Sequence, residues 1–137
     1  MNMVEVISRY EGQLRCTAVH SQSGSKFQTD APKDNMGRGE AFSPTDLLAT
    51  GLGTCILTIL GIVGQRNGWD LTGSPVKVLK EMAQQPLRRI GKLTVEIKIP
   101  QKLTEEQRQR LQNAAELCPV KKSLHPDIEI PITWHWA

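Results

Sequence analysis

The chain has 137 residues, 39% hydrophobic and 23% charged, which suits one globular domain with its own core. Its formal charge of +3 comes from scattered Lys and Arg with few aromatics beside them, so nothing marks a nucleic-acid surface. Cys16, Cys55 and Cys118 are odd in number and widely spaced, which argues against a secreted disulfide framework, and no Cys/His cluster has zinc-ligand spacing.

The opening residues show no basic, apolar and cleavage-site sequence of a signal peptide. Free thiols without a leader point to the cytoplasm. Met3–Arg9 reads as a strand, Tyr10-Glu11-Gly12 as a turn and Gln13–His20 as a second strand. After a turn at 21–25, Lys26–Thr29 returns as a third strand, giving an antiparallel meander. Asp30–Ala41 is a polar loop in which Arg38 sits between Gly37 and Gly39.

The loop delivers the chain to Ser43, an N-cap followed by Pro44 at the first helical position and Asp46 to complete a capping box. From Leu47 to Val63 there is no charge, and apolar residues cover every side of the wheel. A helix buried all round is expected, Pro44–Gln65, with Gly68 just past its end. The uncharged run is shorter than the roughly 20 residues of a membrane span and contains three glycines and three threonines, so a membrane partner is not expected.

Val76–Met82 and Lys92–Ile99 follow as strands around a basic turn carrying Arg88 and Arg89. Leu93, Val95, Ile97 and Ile99 alternate with polar residues, so one face of that strand is buried. Thr104 and Gln107 form a second capping box. Leu111, Ala114, Ala115 and Cys118 then share one helical face, and Pro119 stops this helix and starts a short one through Leu124. Ile128, Ile130, Ile132, Trp134 and Trp136 alternate in a last strand.

Cys55 and Cys118 thus both lie on buried helical faces, where burial alone makes a thiol inert. Cys118 would cap the Pro119 helix and lie beside Lys121 and Lys122, so the lower thiol pKa is expected there. Cys16 reads as a filler in a strand.

The segment SPTDLLATGLGTC, followed about sixty residues later by LCPVKKSLHPD, resembles the OsmC/Ohr family of osmotically inducible and organic-hydroperoxide-resistance proteins. The order of elements resembles that family over nearly the whole chain. The resemblance implies an α+β fold of OsmC type: an antiparallel β-meander, a long central helix, then β-β-α-β, as a single domain over residues 1–137 in an intertwined homodimer.

It also implies a thiol peroxidase for small hydroperoxides, organic ones first, without metal or other cofactor. Cys55 would be the peroxidatic residue and Cys118 the resolving one, with a dihydrolipoyl group or another dithiol as reductant. The family uses an arginine, held by a carboxylate, to activate the peroxidatic thiol. Arg38 is the nearest arginine in the approach loop, with Arg9 and Arg15 as further candidates. The carboxylate position falls beside Thr45–Asp46, where Thr45 cannot serve, and Glu40 is the other candidate. The competing expectation is a non-catalytic, stress-associated dimer that binds a small apolar ligand at its interface.

Overall fold

The structure is a computed structural model and describes residues 3–137. Its elements follow the expected α+β order, arranged as two separate three-stranded sheets with helices. The chain divides into two compact units, the first ending at Leu47 and the second spanning Leu48–Ala137.

In the first unit β1 (Val6–Gly12), β2 (Arg15–His20) and β3 (Lys26–Asp30) form an antiparallel sheet in sequence order. The hairpin reverses at Gln13 and Leu14, not at Tyr10–Gly12, and β1 continues through the expected turn. Both turn residues have positive φ, 55° and 64°, as a two-residue type I′ loop requires. Neither is a residue that advertises such a turn. A bulge between Tyr10 and Gly12 absorbs the extra residue. The strands carry few buried apolar side chains; Ala18 is buried, while Val6, Ile7, Tyr10 and Phe27 are exposed.

The helix α1 spans Pro44–Asn67. Its capping box is reciprocal: Ser43 N–H donates to Asp46 Oδ2 at 2.9 Å and Asp46 N–H to Ser43 Oγ at 3.1 Å. At the other end Gly68 takes φ 73°, and Trp69 N–H donates back to Gly64 O at 2.8 Å, closing a Schellman-type end. By length and composition α1 could cross a membrane. Here it acts as a core helix, with Leu52, Ile56 and Leu60 fully enclosed. Burial all round is not found within one chain. The face with Ala49, Leu52, Gly53, Ile56, Leu60 and Gly64 is buried, whereas Leu48 and Ile62 on the other side are 42% and 43% exposed.

The rest of the second unit builds a sheet from β4 (Val76–Ala83), β5 (Arg89–Ile99) and β6 (Ile132–Trp136). β4 pairs antiparallel to β5, and β6 pairs parallel to it after the crossover through α2 (Glu105–Ala115) and α3 (Pro119–Ser123). β6 starts later than the Ile128 alternation suggests. Pro131 lacks an N–H, and the segment before it touches β5 through a single bridge, Lys92 to Glu129. Leu93, Val95, Ile97 and Ile99 point inward as expected and share one core with α1, Leu111, Ala115 and Cys118.

Candidate functional site

The candidate residues fall into two groups, one in each unit. In the second unit α1 places Cys55 mid-helix, on the flank of its buried face. The end of α2 and the start of α3 place Cys118, which is fully buried. Small residues bring the segments together. A Cβ on Gly51, one turn before Cys55, would reach Val120 of α3 at 4.0 Å. The two thiols, 63 positions apart in the chain, are near enough for Cys55 to raise the pKa of Cys118, and both are free.

Cys118 caps α3 as the sequence suggests, its Sγ accepting from Lys121 N–H at 3.4 Å. The expected low pKa does not follow. Burial, and then the facing Cys55 thiol, push the Cys118 thiol up, and the N–H bonds from Lys121 and Val120 act against that without overcoming it. Desolvation outweighs one turn of helix dipole, and the Lys121 ammonium is engaged by Glu116. Cys118 is therefore a protonated thiol at neutral pH.

In the first unit the loop after β3 folds back on itself. Lys33–Asn35 form a 3₁₀ turn, and Met36 takes a left-handed conformation. Gly37 then packs so tightly that a Cβ there would lie 1.7 Å from Ala31 O. Gly39, at φ 64°, donates to Ala31 O at 3.2 Å. These glycines do not simply loosen the backbone around Arg38. They return Glu40 to the end of β3, where its N–H donates to Asp30 Oδ2 at 3.0 Å.

Glu40 then holds an arginine, but it is Arg15 rather than Arg38. Arg15 Nη2 donates to Glu40 Oε2 at 2.6 Å and lies 3.6 Å from Asp30 Oδ2. The Glu40 bond, reinforced by its charge and by that of Asp30, raises the Arg15 pKa, so its cation is permanent. Arg38 reaches Gln13 Oε1 at 3.4 Å on an exposed rim, a long contact. Arg9 is exposed on β1. Asp46 is occupied by the helix cap. Of the residues singled out in the sequence, Cys55 lies near Cys118, and Glu40 pairs with Arg15, which the sequence ranks below Arg38; Asp30 is not among them. The missing signal is the hairpin register, which sets Arg15 directly across from Asp30.

Among the described residues no group of three or more His, Cys, Asp or Glu is arranged to hold a metal. A cavity of about 410 Å³ at the far end of α1, lined by Leu57, Gly61, Gln65, Trp69 and Leu71 among others, includes neither thiol.

The OsmC family model, described as OsmC-like protein, matches residues 37–133. Among solved structures, the chain is 44% identical to a candidate osmotic stress induced and detoxification response protein from Psychrobacter arcticus 273-4, with 98% of each chain covered and a TM-score of 0.92. It is also similar to an organic hydroperoxide resistance protein from Legionella pneumophila, at 15% identity over 98% of this chain and 99% of that one, with a TM-score of 0.76. A further likeness is to an organic hydroperoxide resistance protein from Elizabethkingia anophelis, at 18% identity over 100% of this chain and 98% of that one, with a TM-score of 0.79. At these last two identities the likeness is one of fold. No functionally curated protein matches the sequence.

Proposed function

The chain belongs to the OsmC-like protein family, and on that premise we propose that it is a thiol-dependent hydroperoxide reductase working through Cys55 and Cys118. The observation that carries the reading is the nearness of these two free thiols, brought together from α1 and the α2–α3 junction. A Cys55 thiolate attacks the terminal oxygen of a hydroperoxide. The S–O bond forms as the O–O bond breaks, and the alkoxide departs as the alcohol after taking a proton. Cys55 is then a sulfenic acid. Cys118 sulfur attacks the Cys55 sulfur, the S–S bond forms, and the sulfenic hydroxyl leaves with the Cys118 thiol proton as water. A dithiol, dihydrolipoyl or another, returns two electrons and two protons by thiol–disulfide exchange.

The raised pKa of Cys118 supports this division of labour, because a protonated thiol does not compete for the peroxide and still has a proton to give to the departing hydroxide. The activating cation is assigned to Arg15 and its carboxylate to Glu40, since Arg15 is the arginine that Glu40 holds. The reading places the protein in the cytoplasm, where thiols stay reduced.

The working form is proposed to be a homodimer. In support, α1 leaves Leu48 and Ile62 exposed beside Thr54 and Thr58, whose hydroxyls donate to carbonyls of their own helix at 2.8 Å and so leave an outward surface that is largely apolar. The exposed apolar residues of β1 and β3 also call for cover.

Peroxide consumption with a dithiol reductant tests the reading. Wild type should turn over an organic hydroperoxide, and Cys55→Ser should not. If wild type and Cys55→Ser are equally inactive and neither thiol of the wild type is oxidised, the non-catalytic ligand-binding dimer replaces it.

A further inference from the structure

Among the described residues Asp30 is the buried carboxylate, 1% exposed. A carboxylate removed from water needs partners. Asp30 places two on one oxygen: Oδ2 accepts from Glu40 N–H at 3.0 Å and faces Arg15 Nη2 at 3.6 Å. Its other oxygen, Oδ1, is enclosed without a partner, and so is Arg15 Nε. One leftover atom is an acceptor and the other a donor. They belong to residues directly opposite each other on β2 and β3. Rearrangement within the cluster would satisfy both atoms at once. Turning the guanidinium from Glu40 towards Asp30 would give a two-pronged Arg–carboxylate pair. Glu40, whose side chain is 57% exposed, competes with water for the same guanidinium.

We infer that Asp30 is a positioning residue: it anchors both Arg15 and the loop that carries Glu40, and it takes the guanidinium in a two-pronged pair when Glu40 lets go. The inference rests on the assignment of Arg15 as the group that activates Cys55. Arg15 then has two alternative carboxylates, one exposed and one buried, and its direction is kept when the exposed one is lost.

The pH profile of Cys55 alkylation tests this in Arg15→Ala, Glu40→Gln, Asp30→Asn, Asp30→Glu and the Glu40→Gln/Asp30→Asn double variant, with urea midpoints as the folding control. Arg15→Ala should slow alkylation at neutral pH. Glu40→Gln should slow it by less than Asp30→Asn does, and the double variant should exceed the product of the singles by roughly threefold or more. Asp30→Glu should recover part of the loss. Sign is the discriminating feature. A carboxylate acting only through its charge would, when neutralised, leave the cation stronger and speed alkylation; loss of positioning slows it. If Arg15→Ala slows alkylation while Asp30→Asn and the double variant speed it or leave it unchanged, Asp30 has no positioning role and the assignment of Arg15 stands. If Arg15→Ala has no effect, that assignment fails and this inference fails with it. Should Asp30→Asn not fold, Glu40→Gln decides by NMR: the Arg15 Nε–H should gain protection from solvent exchange, and unchanged exchange overturns the inference.

Discussion

In the second unit β5 turns Leu93, Val95, Ile97 and Ile99 into a core where none retains exposed surface, while in the first unit β1 leaves Val6, Ile7 and Tyr10 more than half exposed. The buried thiol sits in the well-packed unit and the permanent cation in the sparsely packed one. Apolar packing fixes the position of Cys118. Ion pairs, glycine conformations and a hairpin register fix that of Arg15. The two groups should therefore respond to different perturbations.

Core truncation should give the largest effect. Ile97→Ala should lower stability by about 2–5 kcal/mol, measured by urea unfolding at fixed protein concentration, because its site cannot collapse around the loss. Val6→Ala on the exposed sheet should cost less than about 0.5 kcal/mol in the isolated chain. A larger cost that depends on protein concentration would show that a second copy covers this strand.

Gly37→Ala comes next. Its Cβ would collide with Ala31 backbone, so the loop must open and Glu40 must leave Arg15. A loss of about 1–3 kcal/mol is expected, with faster amide exchange at Glu40. Arg38→Ala, in the same loop, should stay within about 0.5 kcal/mol of wild type and leave Cys55 alkylation unchanged. If Arg38→Ala instead slows that alkylation, Arg38 takes over the role assigned to Arg15.

A smaller effect belongs to Cys118. Its folded pKa is raised, so its contribution is fully present below the ordinary thiol value of about 8.5. Above that, the unfolded chain releases the proton first, and stability is lost as pH climbs towards the folded value. Urea midpoints at pH 7 and pH 10 should therefore fall further apart in wild type than in Cys118→Ala. Equal gaps would mean that the thiol is not held protonated by burial.

How much of this was legible follows the same division. The core strand announced itself through the alternation of Leu93 to Ile99, and α1 through Ser43, Pro44, Asp46 and Gly68, since periodicity and capping are local. The two thiols came together through the resemblance, because nothing at Cys55 points to position 118. The apolar circumference of α1 does not say which neighbour covers which side: the single chain encloses Leu52, Ile56 and Leu60 and leaves Leu48 and Ile62 exposed. The Arg15–Asp30–Glu40 cluster was obscured because it depends on the β2–β3 register and on the loop that returns Glu40 to Asp30, neither of which is a local pattern. The turn at Gln13–Leu14 was hidden by two residues poorly suited to positive φ, and Gly12 nearby suggested another. The low pKa expected of Cys118 failed because a cap is visible in sequence and the depth of burial is not.

The central claim is that Cys55 takes the oxygen and Cys118 resolves it. Mass spectrometry after one equivalent of an organic hydroperoxide tests this most directly, with Cys118→Ser beside wild type. Wild type should carry a Cys55–Cys118 disulfide, and Cys118→Ser should carry sulfenic or over-oxidised Cys55. Sulfenic acid on Cys118 of a Cys55→Ser variant, formed as fast as wild type reacts, would contradict the account.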